Sequence, residues 1–247
     1  MKKLILTLLF PMTIIASPIG FNQAPIPGLV GWWTFNEGSG TNAQDYSGKG
    51  NTGWMTNYNS TYGSNAWTTG VVQSALNFSN TTPFSSVVIP GSSLSGSPLS
   101  LSNLTICAWI NYRSWGGGGR EKIVDKSGNA ASGYSFYIGL SRNALAYAVG
   151  GTAWETAPPT LLSNTWIYAS LCVTNTTITF YTNGVLYYSL SGINPTTLNT
   201  FPVVIGGRQD GARSFDGLID DVRIYNRALT PYEVQELYNG GYGRQLP

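Results

Sequence analysis

Two stretches at opposite ends of the chain decide the fold. The later one, Phe215–Thr230, reads FDGLIDDVRIYNRALT, and the earlier one, Trp32–Gly40, reads WWTFNEGSG. In the later stretch, Gly217 allows a strand to begin tightly, and the alternating pattern that follows predicts that Asp220 and Asp221 point to opposite faces. Both stretches therefore predict short β-strands bordered by turns.

The chain between these ends also reads as short strands separated by turns. About a dozen β-prone runs occur without any strand–helix–strand alternation, which favours an antiparallel sandwich. The dipeptide Asn183-Gly184 stands between two such runs. Since both positions of a two-residue hairpin turn need positive φ, Asn-Gly predicts an antiparallel hairpin at this point.

One short helix is predicted at the C-terminal end. Thr230, Pro231 and Glu233 fit an N-cap, a proline at the first helical position and the glutamate of a capping box. Gly240-Gly241 is expected to end the helix.

The order of these segments resembles the laminin G-like / concanavalin A-like lectin–glucanase family over roughly residues 29–239. Besides the two ends, the matching blocks are Trp67–Gly70 (WTTG), Ala75–Phe78 (ALNF), Thr105–Ile110 (TICAWI) and Phe180–Val185 (FYTNGV). Gln73 departs from the family pattern, which commonly has a glycine there. The resemblance implies an all-β, two-sheet antiparallel jelly-roll sandwich whose first and last strands lie side by side.

The first residues resemble a secretory signal. Lys2 and Lys3 precede a mainly apolar run, and small residues follow it. A membrane anchor is the alternative, but the run is shorter than the about 20 apolar residues of a spanning helix. We therefore expect a signal peptide at 1–20, a linker at 21–28, the jelly-roll domain at 29–240 and a tail at 241–247, with no membrane span after signal removal.

The low charge content and near-neutral balance of the chain bear on the kind of partner it can bind. Charged residues make up 10% of the chain, well under the about 25% usual in soluble domains. Removal of Lys2 and Lys3 would leave 11 of the 13 basic residues against 11 acidic ones. A neutral chain argues against nucleic acid as a partner, and export places the protein outside the cell or on its surface.

Cys107 and Cys172 are the only two cysteines. Export permits a disulfide between them, and we expect one. Because both lie in apolar β-prone runs, two separate buried thiols are the alternative.

No catalytic constellation is recognisable, and we expect the protein not to be an enzyme. Nucleophile triads that need a histidine base fail, because the chain has no histidine. The acidic pairs Glu121/Asp125 and Asp216/Asp220 are spaced by four residues, which spans about 13 Å along a strand. That separation is too long for the two carboxyls of a glycosidase, so a glycoside hydrolase or polysaccharide lyase is the least favoured reading.

The resemblance implies a role in carbohydrate binding, since sugar sites combine aromatic faces with a few polar groups. The aromatic and polar residues that we assign to loops and propose as ligand-binding are Trp115, Trp154, Tyr58, Tyr62, Arg208 and Asp210. Solvated turns and half-buried aromatics are the alternative for each.

The resemblance also implies a structural calcium ion near the terminal strands. Calcium needs several oxygen ligands, and the matching candidates are Asp45, Asn51, Asp220 and Asp221. In the alternative, Asp45 caps its own turn and the aspartate pair bonds to the backbone.

Taken together, the sequence predicts a secreted, non-catalytic, lectin-like module that binds a glycan or polysaccharide. The alternative is a structural or adhesive surface module that binds proteins.

Overall fold

Two antiparallel β-sheets face each other across a shared core. The computed structural model describes residues 26–56, 66–80, 85–90, 96–113, 119–128, 132–139, 144–149, 152–156, 161–192 and 198–244. Within these ranges the strands are β1 Leu29–Trp33, β2 Asn42–Ala43, β3 Gly53–Thr56, β4 Trp67–Thr69, β5 Ser74–Phe78, β6 Ser86–Ile89, β7 Leu104–Tyr112, β8 Glu121–Asp125, β9 Tyr134–Gly139, β10 Ala144–Val149, β11 Thr152–Glu155, β12 Ile167–Val173, β13 Thr177–Thr182, β14 Val185–Ser191, β15 Val203–Ile205 and β16 Gly217–Tyr225. The α-helix in this part of the chain is α1, Pro231–Tyr238.

Each sheet has eight described strands. Sheet A runs β14-β13-β12-β7-β16-β5-β4, with β1 also beside β16, and sheet B runs β11-β10-β9-β8-β15-β6-β3-β2. Large side chains such as Trp33, Phe78, Phe136 and Phe180 are fully buried between the sheets. This arrangement confirms the predicted all-β jelly-roll sandwich with one short C-terminal helix.

The two stretches that decide the fold do meet. Strand β1 pairs antiparallel with the second half of β16, with Trp32 opposite Arg223 and Trp33 opposite Val222. β16 itself lies between β7 on one side and β5 and β1 on the other. The first and last strands are therefore neighbours at the centre of sheet A, as expected.

The local turn and cap predictions are also confirmed. Asn183 and Gly184 have φ values of 51° and 75° and join β13 to β14. The Thr230 side chain accepts from the Glu233 backbone N–H, and the Glu233 side chain in turn accepts from the Thr230 backbone N–H. Helix α1 ends at Asn239 in the left-handed conformation, just before the two glycines. None of the described helices is long and apolar enough to cross a membrane.

Helix α1 covers the outer face of sheet A and forms a second apolar cluster there. Val234 and Leu237 of the helix pack with Trp109 and Tyr168 of the sheet. Both ends of the described chain join this layer: Ile26 is buried in the same cluster, and a Cβ at Gly243 would lie 3.1 Å from the Trp109 indole nitrogen. Parts of the predicted linker and tail thus pack against the sandwich, while the domain boundaries themselves stay predictions.

The predicted disulfide is not formed. Cys107 and Cys172 are buried free thiols, because the register of β7 and β12 sets Cys107 opposite Ser170 and Cys172 opposite Thr105. Cys107 and Cys172 are therefore diagonal neighbours on paired strands, and such neighbours lie about 7–8 Å apart. A disulfide allows at most about 6.8 Å between its two Cα atoms. Burial raises the pKa of Cys107 to about 12 and that of Cys172 to about 11, so both thiols stay protonated.

The prediction that Asp220 and Asp221 point to opposite faces is wrong. The pairing of β16 with β7 shifts between Asp220 and Arg223, and Asp221 has a φ of 51°. This β-bulge breaks the strand alternation. Asp220 and Arg223 both come to the outer face of sheet A, where they lie opposite Trp109 and Cys107.

Asp220, Asp221 and Arg223, which we call the β16 acid cluster, draw their partners from distant segments. Asp220 Oδ2 accepts from the backbone N–H groups of Val71 and Val72, each at 2.8 Å. Asp221 Oδ1 accepts from Trp32 Nε1 at 2.6 Å, and its Oδ2 lies 3.1 Å from Arg223 Nη2. The β16 acid cluster thereby connects β16 to β1 and to the turn before β5.

Burial dominates the electrostatics of Asp220. Burial and, after it, the nearby Asp221 charge raise the pKa of this carboxyl to about 8, although the Val72 and Val71 N–H groups oppose the rise. Asp220 Oδ1 has no hydrogen-bond partner among the described residues, so nothing there compensates a charge on that oxygen. The neutral, protonated form of Asp220 is therefore the native one at neutral pH.

We expect ionisation of Asp220 to lower the free energy of unfolding as the pH rises. Because the folded pKa lies above the unfolded value of about 4, the stabilising effect of the proton is complete below pH 4 and is lost as pH rises towards about 8. In urea titrations across this range, Asp220 should contribute a decline of up to about 1.4 kcal/mol per pH unit in the free energy of unfolding.

The variant Asp220→Asn should remove that decline, because a neutral amide oxygen can still accept from Val71 and Val72. Asp216→Asn is the control, since Asp216 is a less buried aspartate that pairs with Arg113 at the start of the same strand. An unchanged pH slope in Asp220→Asn would show that the carboxyl is ionised in the native state.

Candidate functional site

A group of polar side chains lies on the outer face of sheet B. In β9 the core residue Phe136 stands between Ser135 and Tyr137, whose side chains point away from the core. Lys122 of β8 lies directly opposite Tyr137. Since facing residues of paired strands share a face, the three side chains meet there, and with Arg120 we call them the polar cluster.

Lys122 is held by three neighbours. Its Nζ donates to Ser135 Oγ at 2.6 Å, lies 3.7 Å from Asp125 Oδ1 and sits 4.1 Å from the centroid of the Tyr137 ring. Burial, together with the positive charges of Arg208, Arg120 and Arg213, lowers the pKa of Lys122 to about 8, although Asp125 opposes the fall. Both basic and acidic side chains therefore act on Lys122.

Tyr137 presents an unused hydrogen-bonding group. The residue is fully buried, and its hydroxyl has no partner within the described ranges. Burial raises the pKa of Tyr137 to about 12; Arg120 opposes this, Glu155 adds to it and Arg213 opposes it. Glu155 lies close by, because a Cβ at Gly139 would come within 2.7 Å of its carboxyl carbon. A buried hydroxyl without a partner is uncommon.

The turn after β15 borders the polar cluster. Arg208 forms a two-point contact with Asp210, with Nε–Oδ1 at 2.8 Å and Nη2–Oδ2 at 2.6 Å, and Asp210 Oδ1 also accepts from the Ala212 N–H. Arg213 Nη1 donates to the Gly119 carbonyl at 2.7 Å, and the Arg213 carbonyl accepts from the Lys122 N–H at 3.0 Å. The turn is thus attached to the start of β8.

An exposed tryptophan stands on the same face. Trp54 of β3 is 52% exposed and begins a row of directly paired residues, Trp54, Val88, Val204 and Asp125, across four adjacent strands. Three strand spacings separate the ends of this row by about 14 Å. An apolar ring face and a polar cluster therefore share one surface of sheet B.

The ligand-binding residues predicted from sequence have different outcomes. Tyr58, Tyr62 and Trp115 lie outside the described residues. Arg208 and Asp210 are brought together as an ion pair. Trp154 lies on strand β11 and not in a loop, and it stacks on the buried Tyr147 with ring centroids 6.0 Å apart.

Sequence reasoning missed Lys122, Tyr137 and Glu155. Each belongs to a strand, and the search for binding groups was confined to loops. The available signal was the charge within the run Glu121–Asp125, in a chain with few charged residues.

The four predicted calcium ligands already have other partners. Asp45 caps its turn as in the alternative reading: Oδ1 accepts from the Trp32 and Ser47 N–H groups, and Oδ2 accepts from Ser47 Oγ and the Asn51 N–H. The Asn51 side chain donates to the Val30 carbonyl, and its own carbonyl accepts from Trp33 Nε1.

The acidic pair in β16 suits a cation poorly. Asp221 is paired with the Arg223 guanidinium, and Asp220 is bound to two backbone N–H groups. In the described part of the chain, no group of three or more acidic or cysteine side chains could hold a metal. These residues do not fit a calcium ion, because Arg223 already supplies the positive charge next to Asp221.

We expect calcium to leave the melting temperature unchanged relative to excess chelator. By contrast, Arg223→Met should lower the free energy of unfolding by about 3–5 kcal/mol, because it leaves Asp221 buried without its partner. The double variant Asp221→Asn with Arg223→Met, measured by urea unfolding, should recover part of that loss. A rise in melting temperature with calcium would contradict the conclusion that these residues do not fit a calcium ion.

Trp154 and Trp54 form a matched pair for testing which tryptophan supports the core. Trp154→Ala should lower the free energy of unfolding by about 2 kcal/mol, because the half-buried ring packs on the core. Trp54→Ala should stay within about 0.5 kcal/mol of the parent protein, since its ring faces solvent. Urea titrations give both values, and equal stability of the two variants would refute the packing role of Trp154.

Domains of several other proteins with solved structures have a similar fold. Domain 4 of AbnA, an extracellular arabinanase of Geobacillus stearothermophilus solved with arabinotriose, superposes with a TM-score of 0.64 at 20% identity, covering 84% of this chain and 97% of that domain. The binding domain of Paraclostridial Mosquitocidal Protein 1 gives a TM-score of 0.64 at 19% identity, covering 85% of this chain and 52% of that one. At these identities the likeness establishes the fold alone.

A sequence relative is adhesion G-protein coupled receptor V1 of Danio rerio, 26% identical over 159 residues. The match covers 58% of this chain but only 2% of the receptor. Residues 82–235, more than half of the chain, match the model of the Laminin_G_3 family. Together with the two-sheet antiparallel fold, this match means that the chain belongs to the concanavalin A-like lectin/glucanases superfamily as a member of the Laminin_G_3 family.

Proposed function

We propose that this protein is a non-catalytic carbohydrate-recognition module that binds a glycan on the outer face of sheet B. The observation that carries the proposal is the exposed Trp54 ring, which shares the outer face of sheet B with the carboxylates of Glu155 and of the bordering Asp210. Glycan sites combine an apolar surface for the sugar ring with a few fixed polar groups. The superposition with the arabinotriose-bound domain supports the same assignment.

The site offers an aromatic contact for the sugar ring and acidic contacts for the sugar hydroxyls. The Trp54 indole can stack against the apolar face of a pyranose or furanose ring. At the other end, the Asp210 carboxylate, with a side chain 46% exposed, and the half-buried Glu155 can accept from sugar hydroxyls. Because about 14 Å separates the two ends of the paired row, an oligosaccharide suits the face better than a single sugar.

The state of the nearby acids supports binding over cleavage. The Arg208 contact lowers the pKa of Asp210 and keeps it ionised, which makes it a poor general acid. Asp125 is engaged by Ser127 and Gly128 in addition to Lys122. Hydrolysis of a glycoside needs a protonated carboxyl as well as an ionised one, and Asp210 does not provide the protonated one.

The proposal places the protein outside the cell or on its surface. The basic and then apolar start of the chain is typical of an export signal. The adhesion receptor among its relatives is consistent with such a place.

A glycan array followed by titration of the bound sugars tests the proposal. Trp54→Ala should weaken binding about two- to tenfold through lost stacking, and Asp210→Ala should weaken it at least about tenfold through the loss of a charged hydrogen-bond acceptor. Tyr232→Phe is the control, because Tyr232 is 65% exposed on α1, against the other sheet. Glycan binding that survives both site variants would move the site elsewhere, and a folded protein that binds no glycan would refute the function.

An adhesive module that binds proteins is the second candidate, and the edge of sheet A favours it. Strand β14 ends that sheet in the described structure, contains no charged residue or proline, and has Val185 and Leu186 at 66% and 60% exposure. Such an edge is a template for pairing with another strand. This candidate becomes the better one if the array is negative.

A further inference from the structure

A short edge strand places an amide beside the exposed tryptophan of sheet B. Strands β2 and β3 pair antiparallel, with Asn42 directly opposite Trp54 and Ala43 opposite Gly53. Ala43 is fully buried in the core between the sheets, so its neighbour Asn42 points to the outer face. Asn42 and Trp54 therefore share that face, and directly opposed residues of this kind have Cβ atoms about 4.5–5.5 Å apart.

Both side chains are accessible to a ligand. Trp54 is 52% exposed, and Asn42 is exposed as well. Within the described part of the chain, neither side chain has a hydrogen-bond partner. The Asn42 amide therefore presents a carbonyl oxygen as acceptor and an NH₂ group as donor, and a ligand can bind both without breaking a contact of the protein.

The backbone around β2 holds the amide beside the ring. The Met55 N–H donates to the Thr41 carbonyl at 2.7 Å, directly before the strand begins. Just after the strand, Asp45 forms a bridge with Trp33 of sheet A. Because both ends of β2 are attached to neighbouring strands, little backbone freedom is lost when a ligand binds there, which lowers the entropic cost of binding.

The surroundings of this pair carry no net charge. Strands β2, β3 and β6, which form this end of sheet B, contain no charged residue. The loop from β2 to β3 adds one acid, Asp45, and one base, Lys49. On the other side of Trp54, the paired residue is the half-buried Val88. An anionic group placed on the indole would lose water without gaining an ion pair from these strands, so this surface favours a neutral sugar.

We propose that Trp54 and Asn42 form a subsite for a neutral sugar unit, whose ring stacks on the indole while the Asn42 amide binds two adjacent hydroxyls of that unit. This inference rests on the proposed function and names the sugar class at one end of the same face. The amide suits adjacent hydroxyls, because its oxygen accepts from one while its NH₂ group donates to the other. Asp210 and Glu155, at the other end of the face, then contact a different unit of the oligosaccharide.

Binding of matched trisaccharides to the purified protein tests the sugar class. The probes are cellotriose, xylotriose and galactotriose, with trigalacturonate as the acidic counterpart of galactotriose, each titrated by calorimetry at moderate salt. We expect trigalacturonate to bind at least about tenfold more weakly than the best neutral probe, because its carboxylates find no ion pair beside Trp54. Equal or tighter binding of trigalacturonate, or failure of all three neutral probes to bind, overturns the neutral class.

A variant combined with altered sugars then tests the amide contact. Asn42→Ala should weaken binding of the best neutral probe about two- to tenfold, the effect of lost neutral hydrogen bonds. The monodeoxy forms of that probe each lack one hydroxyl, and at least one of them should bind the parent protein more weakly by a similar factor. The same form should bind Asn42→Ala as well as the complete sugar does, because the contact is already absent; such non-additivity marks groups that touch.

The matched control is Asn175→Ala. This change removes another exposed asparagine amide, from the turn between β12 and β13 of sheet A, and should leave the affinity of every probe unchanged. Circular dichroism and melting temperature verify that both variants fold.

The possible outcomes separate this inference from the function beneath it. Equal affinity of Asn42→Ala and Asn175→Ala for the neutral probes overturns the role of Asn42 and leaves carbohydrate binding intact. If Asn42→Ala loses the same factor with every monodeoxy form as with the complete sugar, the amide does not touch a hydroxyl and the contact is refuted. If neither these probes nor a glycan array shows binding to the folded protein, the proposed function itself fails.

Discussion

Two adjacent buried acidic side chains, Asp220 and Asp221, impose the constraint on which the rest of the fold depends. A buried charge or polar group must find partners or pay a large desolvation cost. Here the partners come from β1, through Trp32, and from the turn before β5, through Val71 and Val72. Satisfying the β16 acid cluster therefore requires two segments that are far apart in sequence to assemble around β16, which also aligns the first and last strands.

Two groups of charged and polar side chains lie on the outer faces of the two sheets. One group, the β16 acid cluster, lies on the outer face of sheet A under the cover of α1 and both ends of the described chain. The other, around Lys122 and Arg120, lies on the outer face of sheet B. The outer face of sheet A is covered by α1, while the outer face of sheet B buries Lys122 and Tyr137 and exposes Trp54.

The features that could be predicted from sequence are those fixed locally. The Asn183-Gly184 hairpin needs only positive φ at two residues, and the capping box needs only Thr230 and Glu233. The bulge at Asp221, the diagonal placement of Cys107 and Cys172, and the meeting of Lys122 with Tyr137 all depend on which residues of separate strands stand opposite each other. A shift of one residue in register changes such contacts completely, and no local pattern encodes it. Trp154 was assigned to a loop for the same reason, because its strand is defined by pairing with β10.

The absence of charge from strand β14 is part of a longer pattern with a consequence for folding. From Thr156 to Gly207 the chain contains no Asp, Glu, Lys or Arg, and this segment supplies β12, β13, β14 and β15. β12 pairs with β7, and β15 lies between β6 and β8. Both strands therefore pair with strands that come earlier in the sequence. Until those partners are in place, apolar strands without charged gatekeepers are open to pairing between molecules. The concentration at which the chain is folded therefore decides whether it reaches the sandwich or aggregates through this segment.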